Sequence, residues 1–217
     1  MHFSKYIFDF DGTLVDSMPT WTEKMLRILN REGVEYSSEL VNTITPLGDK
    51  GTAMYFKNVL GVRASVEEML SEMDSYAYPK YKNTIILKPG IIEYLNLLKK
   101  HRHSICVLTA SPHGVVELCL KRNGVLDLFD HIWSCDDFGR AKNDPEIYLE
   151  VISELGVEAN EVVLFDDNIN AIRAAAESGI YTVGVYDESS RDLRNEITEM
   201  ADMYIESFNE LSVSNLV

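Results

Sequence analysis

Short apolar runs punctuate the chain: "YIF" at 6–8, "SICVL" at 104–108, "EVVLF" at 161–165 and "IYTVGV" at 180–185, with weaker ones in "HIW" at 131–133 and "MYI" at 203–205. Runs this short, without polar alternation, predict strands buried on both faces. Between them the apolar residues change to helical spacing: Ile91, Leu95 and Leu98; Val115 and Cys119; Ile147, Val151 and Leu155; Ile169, Ile172 and Ala176. Asp144-Pro145 reads as an N-cap followed by proline at the first helical position, and Gly124, Gly156 and Gly179 stand where helices should stop. From residue 88 onward the strand and helix alternation predicts a parallel sheet with helices on both faces.

Ser17 to Lys88 breaks that alternation. Trp21, Met25, Ile28 and Leu29, and later Val66, Met69, Leu70, Met73, Tyr76 and Ala77, keep helical spacing with no strand between them. Ser65 and Glu68 have the spacing of a capping box for the later helix. A crossover of roughly 70 residues is more than a connection, so it reads as an inserted all-helical unit. The expected division is an α/β core of residues 1–16 and 86–217 and a helical cap of residues 17–85. The segment "DESSRDLRNEITEM" reads as an acidic, solvated helix, and the tail "SFNELSVSNLV" as a short helix with a loose end.

With 217 residues, 46% of them hydrophobic and 25% charged, the chain can bury a substantial core. The net charge of −15 would repel both a nucleic-acid backbone and an anionic membrane surface, so neither is an expected partner. No run of about 18 uncharged apolar residues occurs, and "MHFSKY" lacks a secretory pattern, so a cytoplasmic location is expected. Cys106, Cys119 and Cys135 lack metal-ligand spacing and read as reduced core thiols.

In open parallel sheets ligands bind beyond the carboxyl ends of the strands. There stand Asp9 and Asp11 after the first run, Thr109, Ala110 and Ser111 after the second, and Asp166 and Asp167 after "EVVLF"; Lys142 lies on a loop after "HIW". Carboxylates gathered that closely repel one another, and a hard divalent cation, Mg²⁺ above all, is the expected remedy. Strand pleating puts residues 9 and 11 on one side, so one carboxylate can attack an electrophile while the other handles a proton. Gly12 and Thr13 let the backbone turn behind them. Thr109 and Lys142 offer a hydroxyl and a positive charge to a phosphoryl group, a set that suits an aspartyl-phosphate intermediate.

These motifs resemble the haloacid dehalogenase-like hydrolase superfamily, in the phosphoglycolate phosphatase and β-phosphoglucomutase-like branch with a helical cap. "DFDGTLVDS", "VLTAS", "GRAKNDPEIY" and "VLFDDNINAIRAAAESGI" match its four motifs in order. The resemblance implies a Rossmann-like three-layer core and a Mg²⁺-dependent phosphatase acting on a small phosphorylated metabolite. By it Asp9 is the nucleophile, and Asp11 the general acid and base and a metal contact through its backbone carbonyl. Thr109, Ala110 and Lys142, with Gly12 at the turn, hold phosphate, and Asp166 and Asp167 complete the metal site. Asn143 stands where the family usually has proline. Asp166 replaces a glutamate, which leaves open direct or water-mediated ligation. Trp21 occupies the position of a histidine in the β-phosphoglucomutase pattern, which disfavours the rival reading of a sugar phosphomutase. A dehalogenase would not need Asp11 as proton donor, and a binding or regulatory protein would not need every catalytic position filled.

Taken one by one, Trp21, Tyr55 and the methionines of the insertion read as packing residues. Ser111 and Lys50, the latter in "PLGDKGTA", are further candidates to reach substrate, against a surface role for Lys50. His113 reads as an exposed residue at a helix start.

Overall fold

The computed structural model describes residues 3–44 and 47–212. Six strands form one sheet in the order β3-β2-β1-β4-β5-β6. They are β1 (Lys5–Phe8), β2 (Ser104–Thr109), β3 (His131–Ser134), β4 (Val162–Asp166), β5 (Tyr181–Val185) and β6 (Met203–Ile205), and every pairing is parallel. The two weak runs are thus strands at the sheet's edges. From β1 the chain winds outward through β2 and β3, then returns to β1's other side for β4, so the winding reverses between β1 and β4.

Pleating divides the core. Tyr6 and Phe8 face one side with Val107, Val163, Phe165 and Val183, under α5 (Ile91–Lys100) and α6 (His113–Arg122). Ile7 faces the other with Cys106, Leu108 and Leu164, under α8 (Pro145–Leu155) and α9 (Ile169–Glu177). The rings of Phe8 and Phe165 stack at 4.7 Å across the pairing of β1 with β4. A short α7 (Cys135–Phe138) follows β3. All three cysteines are buried and unbridged.

Between β1 and α5 lie α1 (Met18–Glu32), α2 (Ser38–Ile44), α3 (Gly48–Asn58) and α4 (Val66–Asn83). They enclose a cluster of their own, with Trp21, Met25, Ile28, Phe56, Met69 and Met73 at its heart. Ser65 caps α4 with the reciprocal Glu68 contact, and Asp144 caps α8 ahead of Pro145. The lower half of α4 departs from the rest, because Ala77 and Tyr81 pack with the sheet's own cluster and the helix lies across α6. The chain's two passages into this helical unit run side by side: Asp16 N–H donates to Ile86 O at 3.0 Å, and Lys88 N–H donates to Leu14 O at 2.9 Å.

The acidic segment expected to be one helix is two, a 3-10 turn (Glu188–Leu193) followed by α10 (Arg194–Met200), because Asp187 caps the first while Arg194 begins the second. The tail begins with a 3-10 turn (Phe208–Glu210); its residues 213–217 lie outside the described residues. Among the described residues no helix is long and apolar enough to cross a membrane.

Candidate active site

Strand register sets the geometry. Phe8 pairs with Phe165, so Asp9 leaves β1 beside Asp166 at the end of β4, and Asp9 N–H donates to Phe165 O at 2.9 Å. This is the point where the sheet's winding reverses, the expected place for a crevice. Carboxylate oxygens of Asp9, Asp166 and Asp167 lie within 4.8 Å of one another, all three residues buried. Lys142, 3% exposed on the loop before α8, reaches into this group: its Nζ is 2.7 Å from Asp9 Oδ1 and also donates to Asp166. Tyr148 steadies the loop by donating its hydroxyl to Lys142 O at 3.1 Å.

If all three carboxylates were ionised, one ammonium would leave two negative charges uncompensated. Burial, offset in part by Lys142 and reinforced by Asp166, pushes the Asp9 carboxyl up to about 7. Asp167 is held well above the usual carboxylate range, first by burial and then by the charges of Asp187, Asp166 and Asp9. Burial alone would lower the Lys142 ammonium, but Asp166 and Asp9 outweigh it and hold it well above the ordinary lysine value. One divalent cation with oxygen ligands would balance the group, so these residues fit Mg²⁺.

Gly12 makes the arrangement possible. Its φ is +85°, and a Cβ there would stand 2.5 Å from Asp167 Oδ2. Thr13 donates its hydroxyl to Asp167 Oδ1 at 3.1 Å, and Asp166 Oδ1 accepts from Asn168 N–H at 2.9 Å. Thr109 is buried at the end of β2, where its Oγ1 accepts from Ser111 N–H at 3.0 Å. Thr109, Ala110, Asn168, Met18 and Trp21 line the same cleft as the acidic group and Lys142.

Asp11 also lines the cleft, but its carboxylate stands apart from the three. It is held by hydroxyls: Oδ1 accepts from Ser17 and from Tyr81, and Oδ2 from Ser111, each at 2.5 Å. The expected meeting of four carboxylates is therefore a group of three with a fourth turned onto its own donors. Ser17 stands at the head of α1 and Tyr81 in the last turn of α4, so the helical insertion supplies two of the three donors. Tyr81 is 70 positions away and carried no sequence signal. Ser17 is the last residue of the first motif, "DFDGTLVDS", and could have been noticed. Lys88, which donates to Asp187 Oδ2 at 2.6 Å beside Asp167, was also missed.

Of the sequence candidates, Ser111 and Gly12 back the cleft, against Asp11 and Asp167 respectively, and Lys50 stays outside it, as does His113. Lys50 is exposed on the first turn of α3, and half-buried His113 pairs with Asp137 at 2.8 Å.

Residues 6–185 match the family model described as haloacid dehalogenase-like hydrolase. The chain is 32% identical over 180 residues to validoxylamine A 7'-phosphate phosphatase of Streptomyces hygroscopicus subsp. limoneus, covering 82% of this chain and 84% of that one. It is 27% identical to hexitol phosphatase B of Escherichia coli K12, over 97% of this chain and 95% of that one. CbbY from Rhodobacter sphaeroides, solved with xylulose-(1,5)bisphosphate, shares the fold with a TM-score of 0.83 at 22% identity, over 99% of each chain. β-Phosphoglucomutase from Clostridium difficile does so with a TM-score of 0.81 at 19% identity, over 98% of this chain and 94% of that one. With the motif order, the doubly wound sheet and a family match that spans most of its length, the chain belongs to the haloacid dehalogenase-like hydrolases.

Proposed function

We propose that this chain is a Mg²⁺-dependent phosphatase that hydrolyses a small phosphorylated metabolite through an aspartyl-phosphate on Asp9. The observation that carries the reading is the group of Asp9, Asp166 and Asp167 around Lys142 at the carboxyl ends of β1 and β4. Both relatives compared above are named as phosphatases, which supports the reaction class.

Asp9 attacks phosphorus in line with the ester oxygen, and the bond from phosphorus to that oxygen breaks while Asp11 gives it a proton. Asp11 then takes a proton from water, whose oxygen attacks the phosphorus of the aspartyl-phosphate; the bond to Asp9 breaks and inorganic phosphate leaves. Lys142 favours the ionised form of Asp9 against its burial and orients it, Thr109 and Ala110 form the wall against which the phosphoryl oxygens are held, and Ser111 orients Asp11. Asp9, Asp166 and Asp167, with the Asp11 backbone carbonyl, would hold the Mg²⁺, whose chemistry is to neutralise phosphoryl charge.

Residues 17–85 act as a cap on the core of residues 1–16 and 86–217. The paired passages at Leu14–Asp16 and Ile86–Lys88 serve as its hinge. The cleft encloses only about 20 Å³, room for a water and not for a phosphate ester, so substrate enters when the cap swings away. Trp21 in the cleft wall offers no proton-accepting imidazole, which weighs against returning the phosphoryl group to a sugar hydroxyl. The test is Asp9→Asn assayed on p-nitrophenyl phosphate with Mg²⁺. Phosphate release should fall by at least about 10³-fold, and retained turnover would overturn the mechanism.

A further inference from the structure

The helical insertion buries an ion pair that neither its packing nor the reaction above requires. Lys24 on α1 is 2% exposed and Asp49 on α3 is 7% exposed, and Lys24 Nζ donates to Asp49 Oδ1 at 2.6 Å. The same insertion buries an apolar cluster that includes Met25, Ile28, Phe56 and Met73, and a buried ion pair is often replaced by an apolar pair of similar volume at equal or better stability.

The pair is placed against the cleft from three sides. Trp21, a cleft residue, lies one turn before Lys24, whose Nζ stands 5.8 Å from the indole ring. Gly48, next to Asp49, meets the core at Ala110, another cleft residue; its φ is +68° and a Cβ there would stand 2.8 Å from Ala110 O. The charge of Asp49 also acts on Tyr81, whose hydroxyl is bonded to Asp11. Gly48 closes on Ala110 at the cleft's edge, so an insertion that parts from the core at this contact would bring Asp49 and Lys24 beside the space that opens.

We infer that Lys24 and Asp49 recognise the hydroxyls of an uncharged, polyhydroxylated leaving group, a sugar or sugar alcohol, an inference that rests on the phosphatase reading of the site. The chemistry is complementary. A carboxylate accepts from one hydroxyl, an ammonium donates to its neighbour, and the indole face of Trp21 covers the carbon skeleton. An anionic leaving group finds no such partner. Among the described residues that line the cleft Lys142 is the one cation, and it is committed to Asp9 and Asp166, while Lys24 is committed to Asp49. A carboxylate or second phosphate placed here would face Asp49 without a free counter-charge.

The full-length protein with Mg²⁺ is assayed on sorbitol 6-phosphate, phosphoglycolate and p-nitrophenyl phosphate, as wild type, Lys24→Met, Asp49→Asn and the double variant Lys24→Met with Asp49→Leu. Wild type should favour sorbitol 6-phosphate over phosphoglycolate in kcat/KM. Each variant should lower the ratio of kcat/KM for sorbitol 6-phosphate to that for p-nitrophenyl phosphate by about 10- to 100-fold, chiefly through KM. The double variant removes both buried charges together and so keeps its fold, and it should show the same loss. A wild-type preference for phosphoglycolate, or an unaltered ratio in the folded double variant, overturns the inference while leaving the phosphatase reading intact. Absence of phosphate release from every ester by wild type with Mg²⁺ overturns that reading, and the inference with it.

Discussion

Lys142 binds the acidic group together, and its removal separates two consequences. Lys142→Met leaves Asp9 and Asp166 buried without their ammonium, a loss of about 3–5 kcal/mol in the metal-free protein. Urea unfolding in EDTA should show that loss, and turnover should fall by at least about 100-fold; unfolding at the wild-type urea midpoint would mean the pairing is not structural. The residues that face one another through strand register were readable beforehand, because Asp9 and Asp166 each end an apolar run and a parallel sheet aligns such ends. The donors to Asp11 were not, since Tyr81 arrives only through the docking of α4 on α6. Lys24 is an intermediate case. It falls three residues after Trp21 and four before Ile28, on the apolar stripe of α1, so the spacing marks a lysine on a buried face, but its partner Asp49 depends on how α3 docks.

At the scale of elements, local signals and tertiary packing divide the molecule between them. Ser65 accepts from Glu68 N–H at 3.2 Å while Glu68 accepts from Ser65 N–H at 2.7 Å, so the start of α4 is set by four consecutive residues. Ser65→Ala should cost about 1 kcal/mol, measured as a lowered unfolding midpoint, with kcat unaltered because this end of α4 is remote from the cleft. A kcat loss would show that the cap's outer end sets the reaction's geometry. Helix α3 escaped the periodicity because Gly48, Gly51, Thr52 and Ala53 make a weak apolar stripe; it packs on α4 and α2. The C-terminal end of α4 is pinned instead by the core, where Arg122 on α6 donates to Tyr81 O and Ile85 O, and Asn123 donates to Ile85 O at 3.3 Å. No pattern in a single helix reveals such a fastening, and it explains why Ala77 and Tyr81 pack with the core although they belong to the inserted segment.

For the whole molecule, the acidic group ties stability to pH and to metal. The Asp9 carboxyl is raised from 3.8 to about 7, so between those values the folded protein binds more protons than the unfolded chain. Stability of the metal-free protein therefore falls as pH rises through that window, and Asp167, shifted in the same direction, adds to the fall. On the proposed function, Mg²⁺ would compete with those protons. At 100 times its Kd it should contribute about 2.7 kcal/mol at pH 8, seen as a rise in Tm of about 5–10 °C over EDTA, and the rise should shrink at pH 5. An equal rise at both pH values would mean that the metal binds elsewhere. The parallel strands, the helical insertion and the residues at the strand ends were legible from apolar spacing and motif order, whereas the order of the strands in the sheet came from the structure. The orientation of the insertion was not, because it depends on contacts between residues far apart in the chain.

If Asp9 carries the phosphoryl group, the adduct can be trapped on it. Wild-type protein is mixed with p-nitrophenyl phosphate and Mg²⁺, quenched in acid within the first turnover, reduced with borohydride and digested for peptide mass spectrometry. An aspartyl-phosphate is converted by that reduction to homoserine. The expected result is homoserine at residue 9, absent from a control without substrate. Reduction at another aspartate, or none while phosphate is released, would rule out Asp9 as the nucleophile.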